Sequence, residues 1–498
     1  MKRASLRLLT RTLRASVGAL MVVALVLVCL AAMGAARPAP AQAAVARGVC
    51  DPSIPSMDAT SQAAAFSELG PQQLNASYVR FVVSWAQAEP NMPVSPGSDP
   101  PVLDPQYTVL DSQYMAQIAT AVEAAAAKSL RVIITFSAVP DWASDLSLWK
   151  YSSGSYRSSD AVDTTYLPSL QAFYKAFAAY TGIQGNVYAY ECWNEPNLAL
   201  FLTPQTVPGN ANFAVDRYFK MLQACHDGIL AGNTSAPAPL IVAGATAPHG
   251  SNNAGSTSPQ RFASELATRH RTVTNFFNDY SHHPYMPGAS PRLWPEAAPA
   301  HPSTTVTLEN LGTLLKIFPT KHFLLTEYGV QTAACVAFSY QHVDQATQAD
   351  YLRRAYAYVA KYKQVKLLMW YLLKDEVPAP PTPASRGFYT GLDTASGAHK
   401  RAWYVFAGGT TLTLNSPTRV KLGAAAKLTG QLAWKDTGVV AKPVLQSHRA
   451  GHPWATVKTL TTPATGAYSV SVRPKASTYY RVAWLGVVTS RTRLVAVH

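Results

Sequence analysis

The sequence predicts an α/β fold, a (β/α)8 barrel followed by a small all-β sandwich, and two observations carry that prediction. Short β-branched or aromatic runs alternate with helical periods over residues 44–410, and several of those runs are apolar on both faces, as in a buried parallel sheet. From 411 to 498 only short alternating runs broken by Gly, Pro and Asn remain, the pattern of a small antiparallel sandwich.

The 498 residues exceed one ordinary core, and 48% of them are hydrophobic against 14% charged, which excludes general disorder. The start of the chain stands apart. Lys2, Arg3, Arg7, Arg11 and Arg14 precede an uncharged run from Val17 to Ala36, and Ala41-Gln42-Ala43 offers an A-x-A cleavage site. Residues 1–43 therefore read as a secretory signal peptide, which predicts a secreted, extracellular protein with no stable membrane anchor after cleavage. The competing reading is an uncleaved anchor, because the apolar run is long enough to span a bilayer. Val28 before Cys29 argues against a lipoprotein anchor.

Eight strands are expected in the body. They lie near Arg47–Asp51, Tyr78–Ser84, Arg131–Phe136, Val187–Tyr190, Leu240–Ala243, Phe276–Tyr285, His322–Thr326 and Val365–Trp370. Between them, Leu110, Tyr114, Ile118 and Val122 recur at helical spacing, as do Tyr351, Ala355 and Val359. Further helices are expected over 165–182, 214–231 and 305–317. A doubly wound open sheet would also alternate, but the first strand–helix turn has no Gly-rich phosphate loop, so the barrel is favoured over 44–408. Pro378–Pro383 reads as a stiff loop. Gly408-Gly409 then opens the second domain, 411–498, with strands expected at Lys427–Leu432, Val444–His448, Ala467–Val472, Tyr479–Trp484 and Leu494–Val497.

Charge is placed unevenly. The full chain carries a formal +15, yet from Thr411 onward twelve Lys and Arg face the single acid Asp436, while the body 44–410 is close to neutral. The basic module thus points to an anionic partner, a cell-wall polymer or acidic polysaccharide, against the bland reading of a solvated surface. Nucleic acid is not expected as a partner. Cys50, Cys192, Cys225 and Cys335 remain after export, and their three pairings stay open, as does a pair of buried thiols at Cys192 and Cys225. No C-x-x-C occurs, which disfavours zinc.

Two carboxylates close apolar strands. Glu195 follows the fourth in Tyr190-Glu-Cys-Trp-Asn-Glu-Pro-Asn197, and Glu327 ends the seventh in Leu324-Leu-Thr-Glu-Tyr-Gly329. Barrel active sites sit at the C-terminal strand ends, so both should face one pocket. Such a pair suits glycoside hydrolysis: Glu195 near the negative Glu327 is favoured in its protonated form as the acid, and Glu327, held ionised by Arg80 and Tyr285, is the nucleophile. His282 and His283 invite a metal reading with Asp279, but adjacent strand residues point to opposite faces, so no metal or organic cofactor is expected. Trp142 and Trp370, at or just past strand ends, are candidates for stacking on sugar rings.

Trp193-Asn-Glu-Pro196 with Leu325-Thr-Glu-Tyr-Gly329 resembles the clan of retaining glycoside hydrolases whose acid/base and nucleophile end strands four and seven, families 5 and 39 being nearest. The resemblance runs through nearly all of 44–408. It implies that Arg80 lies beside the nucleophile and that Asn194 bonds a sugar 2-hydroxyl. His283-Pro-Tyr285 matches the sixth-strand His-x-Tyr, and Trp370 the eighth-strand tryptophan under the sugar. Gly391-Leu-Asp393 with Lys400 and Trp403 is similar to the usual closing segment. The tail more loosely resembles immunoglobulin-like modules of secreted actinobacterial proteins, through Gly466-Ala-Tyr-Ser-Val470 and Tyr479-Tyr-Arg-Val482. The expected activity is a retaining β-glycosidase or endo-β-glycanase, cellulase-like or β-xylosidase-like, on a poly- or oligosaccharide. A catalytically weak carbohydrate- or wall-binding protein and a transglycosylase are the alternatives. Sugar, linkage and endo or exo action depend on loops 86–106, 143–164, 201–212 and 247–258 and are not legible.

Overall fold

The computed structural model describes residues 45–151, 155–286, 294–334, 342–376 and 387–498. The expected signal segment, Cys335 and the Pro378–Pro383 loop lie outside these residues.

Eight parallel strands close into a barrel in sequence order: β1 (Ala46–Cys50), β2 (Tyr78–Ser84), β3 (Arg131–Ser137), β4 (Val187–Glu191), β5 (Leu240–Thr246), β6 (Asp279–His282), β7 (His322–Tyr328) and β8 (Val365–Tyr371). The ring shuts where Val49 pairs with Trp370 and Cys50 with Tyr371. Tyr78, Ile133, Ala189, Val242, Leu324, Leu367 and Met369 fill the interior, while a larger apolar layer packs the outer strand faces against the helices. Both faces are therefore dry, which explains why the strands read as nearly continuous apolar runs. At Gly48 a Cβ would meet Met369 at 2.8 Å and Tyr78 at 2.9 Å, so only glycine lets this crowded end of the barrel close.

The helices start where the sequence supplies caps. Asp58 accepts from the Thr60 and Ser61 amides ahead of Ala59–Leu69, Asp111 from Tyr114 ahead of Ser112–Ala127, and Asp344 from Thr347 ahead of Gln345–Val359. The helix expected over 305–317 is reduced to one turn, Gly312–Leu315. Asn310 diverts the chain instead, accepting from the Thr307 amide and donating to the Thr305 carbonyl, so the segment is a loop that still buries Val306, Leu308 and Leu311. Cys192, just past β4, forms a disulfide with Cys225 of the helix Phe213–Gly232, and Cys50 is a buried free thiol. Among the described residues no helix is long and apolar enough to cross a membrane.

After the helix Arg401–Ala407 the chain enters an all-β module of two sheets. One contains β10 (Arg419–Val420), β18 (Arg493–Val497), β16 (Thr478–Trp484), β13 (Val444–His448) and β14 (Ala455–Thr459), in that order. The other contains β12 (Thr437–Gly438), β11 (Ala426–Trp434) and β15 (Ala467–Val472), with β9 (Thr410–Leu412) on β11. Leu428, Leu432, Leu445, Val482 and Val495 are buried between them. The module is seated on the barrel by aromatic contacts: Trp434 packs edge-on against Trp403 at 4.8 Å, and Trp484 against Tyr404 at 4.9 Å.

Candidate active site

The site is assembled around one arginine. Arg80 lies on β2 with its side chain fully buried, and each of its three nitrogens has a partner. Nε donates to Glu191 Oε2 at 2.6 Å, Nη1 to Glu327 Oε1 at 2.6 Å, and Nη2 to Asn194 Oδ1 at 2.9 Å. Nη1 also lies 3.2 Å from Cys50 Sγ. One planar cation thereby fixes the ends of strands four and seven relative to each other.

Glu327 is held from two sides, by Arg80 and by Tyr285, whose hydroxyl donates to Oε2 at 3.0 Å. Burial, reinforced by the charge of Glu327, raises Tyr285 well above its ordinary range, so it stays a neutral donor. Glu195 takes a different environment. Its Oε1 is 2.8 Å from Nδ1 of His283, and one ligand-type atom each of Glu195, His283 and Glu327 lie within 4.8 Å of one another. The Glu195 carboxyl is raised, chiefly because burial disfavours its charge, while the bond from His283 opposes the rise. The cause differs from the sequence expectation: repulsion from Glu327 contributes, but desolvation dominates. Burial works against a charge on His283, yet Glu327 and Glu195 outweigh it and the imidazole is raised.

A bulge sets the position of Glu195. The β5–β6 register shifts between Ala243 and Thr246, with Gly244 and Ala245 at positive φ. The Ala245 carbonyl accepts the Glu195 amide at 3.0 Å, and Glu195 itself sits at φ 38°, a left-handed conformation rare outside glycine. Asn197 then pins the turn, accepting from the Ala247 amide at 2.8 Å and donating to the Thr257 carbonyl at 3.0 Å.

His282 and His283 divide as their alternation demands. His282 lies between the Thr246 hydroxyl and the Val306 carbonyl, and burial depresses it to about 3, so it is a neutral structural ring. Among the described residues two triads have ligand-type atoms close enough to share a cation, Glu195/His283/Glu327 and Glu68/Asp393/His399. In both, hydrogen bonds already pair the donors: His283 with Glu195, and His399 with Asp393 at 2.8 Å.

Trp370 requires a correction. It is 1% exposed, donates Nε1 to the Thr390 carbonyl at 2.7 Å and packs edge-on against Tyr328 in the outer core. Leu367 and Met369 face the barrel interior, so Tyr371 shares their side and Trp370 points to the helices. The aromatic at the mouth is Tyr371, half-buried and edge-on to Tyr285 at 6.4 Å. Trp142 stands edge-on to Trp85 at 5.5 Å and bonds the Glu89 carbonyl, in the wall after β3. Two further residues were missed by sequence reasoning. Glu191 and Tyr371 are both reachable by counting in twos along strands whose inward positions are known, Ala189 and Met369.

Fold and site together define a (β/α)8 barrel with two carboxylates paired at the C-terminal ends of β4 and β7. No protein-family model and no curated protein sequence matches the chain. Solved structures are similar to it. A variant of GH5_18 from Streptomyces cattleya in complex with Manb1-4GlcNAc aligns with TM-score 0.51 and 13% identity over 76% of this chain and 86% of that one. GH5_18 from the same species in complex with GlcNAc gives 0.51 and 14% over 76% and 85%. A GH5_18 variant from Bifidobacterium longum subsp. longum in complex with Manb1-4GlcNAc gives 0.50 and 12% over 73% and 77%. At such identities the likeness is one of fold.

Proposed function

We propose that the protein is a retaining glycoside hydrolase acting outside the cell on β-linked poly- or oligosaccharide. The observation that carries this reading is the unequal pair: Glu195, half-buried, raised and bonded to His283, opposite Glu327, bonded to Arg80 and Tyr285. Their closeness, with one oxygen of each inside a 4.8 Å cluster, suits the separation of about 5–5.5 Å used in double displacement rather than the about 6.5–9.5 Å of single displacement.

In the first step protonated Glu195 gives its proton to the leaving glycosidic oxygen while Glu327 attacks the anomeric carbon and forms a glycosyl ester. Esterification removes the Glu327 charge, which lets Glu195 ionise. Glu195 then takes a proton from water as the water's oxygen displaces Glu327, and the configuration is retained. Asn194, fixed through its oxygen by Arg80, offers Nδ2 to a sugar hydroxyl, and Tyr371 offers a ring at the mouth. The Cys192–Cys225 disulfide suits an oxidising, extracellular compartment. The basic module is read as the part that holds an anionic polymer.

The test is hydrolysis of a panel of aryl β-glycosides and β-linked polysaccharides by the parent and by Glu327→Gln. Release by the parent, lost in the variant, is expected. Equal release by both, or none from any substrate, refutes the proposal.

A further inference from the structure

The outer face of the sheet containing β13 and β16 carries a row of rings with no place in either hydrophobic core. These strands pair antiparallel with His448 opposite Tyr479 and Gln446 opposite Arg481. Leu445, Val482 and Tyr480 point into the module, so His448, Gln446, Tyr479 and Arg481 point out. Trp454, leading into β14, packs on His448 with centroids 5.1 Å apart and planes 34° from parallel. His448 in turn lies 5.8 Å from Tyr479 at 35°. The Arg481 guanidinium stands 4.1 Å from the Trp454 ring centroid, and its Nε donates to Gln446 Oε1 at 2.8 Å. Tyr479 is 38% exposed, and Leu494 of β18, paired with it, is 41% exposed.

Rings left half in water contribute little to folding, and here they are held in a row by one another and by a cation. The charge around them has one sign. From Thr411 to His498 the sole acidic side chain is Asp436, in the turn between β11 and β12 of the other sheet. A row of partly exposed rings next to a preset guanidinium complements a sugar whose C–H face stacks and whose carboxylate pairs with arginine.

We propose that His448, Trp454, Tyr479 and Arg481 form a binding platform for a carboxylate-bearing polysaccharide, a polyuronate chain. The platform rests on the reading of the basic module and not on the hydrolase reading. It would hold the protein on an acidic glycan while the barrel acts.

Affinity electrophoresis of the full chain in gels containing polygalacturonate, or a neutral β-glucan, tests it. The parent should be retarded by polygalacturonate and at least about ten-fold less by the glucan. In Trp454→Ala/Tyr479→Ala, and separately in Arg481→Gln, the polygalacturonate effect should fall by about ten-fold, with thermal midpoint and aryl glycoside hydrolysis unchanged. Undiminished retardation of the ring variant would reduce the binding to net charge and overturn the platform. Equal retardation by the neutral glucan, or none by polygalacturonate, would overturn it as well.

Discussion

Glu191 and Arg80 form a wholly buried ion pair, Oε2 to Nε at 2.6 Å, directly behind the two glutamates of the site. Burial alone would raise Glu191, but the charge of Arg80, with His283 and the Thr135 hydroxyl, outweighs it and the carboxyl stays below its usual range. The pair sets the angle of the guanidinium that reaches Glu327 and Asn194.

Glu191 is therefore a positioning residue. Glu191→Gln keeps the shape and removes the charge, freeing the fork to rotate. Misplacement by an ångström costs about 100-fold in rate, so kcat should fall by about 10–100-fold with KM little changed. A KM effect with intact kcat would mean that Glu191 acts on binding alone.

The pH profile separates Glu195 from its neighbour. The alkaline limb of kcat/KM reports the acid of the free enzyme. Burial raises the Glu195 carboxyl and the His283 bond holds it down, so His283→Asn should move that limb to higher pH while lowering the rate. A limb that stays or moves down would contradict the assignment.

The two aromatics ending β8 should respond differently. Trp370→Ala opens a cavity in the outer core and should cost about 3–5 kcal/mol of stability, seen as a lower denaturation midpoint. Tyr371→Ala, at the mouth, should leave the midpoint close to the parent's and reduce kcat/KM by about ten-fold or more.

Glu89 gives stability a pH dependence of its own. It is fully buried, and burial lifts it to about 7 against the bonds from Trp85 and Thr108. The unfolded chain releases this proton near the ordinary glutamate value of about 4.3, so the folded state binds more protons between there and about 7. Its contribution is full below that window and declines as pH rises through it, by about 4 kcal/mol at most. Denaturant titrations from pH 4 to 8 should show Glu89→Gln with a flatter profile and a relative gain at pH 8. An unchanged slope would place the proton elsewhere.

The barrel was legible because most strands are short apolar runs, though β6 is Asp-Tyr-Ser-His, and each carboxylate of the pair lies at or just past the end of one. What hid was whatever depends on facing or on a single backbone irregularity. Past Lys366 β8 is apolar on both sides, so that single lysine is the one mark of its parity, and Trp370 stood one residue from the inward position that Tyr371 holds. The bulge at Gly244 and Ala245, which carries the Glu195 amide, shows in sequence only as a glycine late in a strand. The 305–317 segment has helical spacing, but Asn310 spends its side chain on the local backbone. Cys192 and Cys225 pair because the residue after β4 faces the following helix, which requires the fold to be known.

Glu327, as a nucleophile set against a proton donor at close range, is the centre of the proposed double displacement. The anomeric form of the first product, followed by proton NMR on the best β-linked substrate of the panel before mutarotation, reads this directly. A β anomer appearing first is the predicted result; an α anomer first would mean that water attacks in a single displacement, and the assignment of Glu327 would fail.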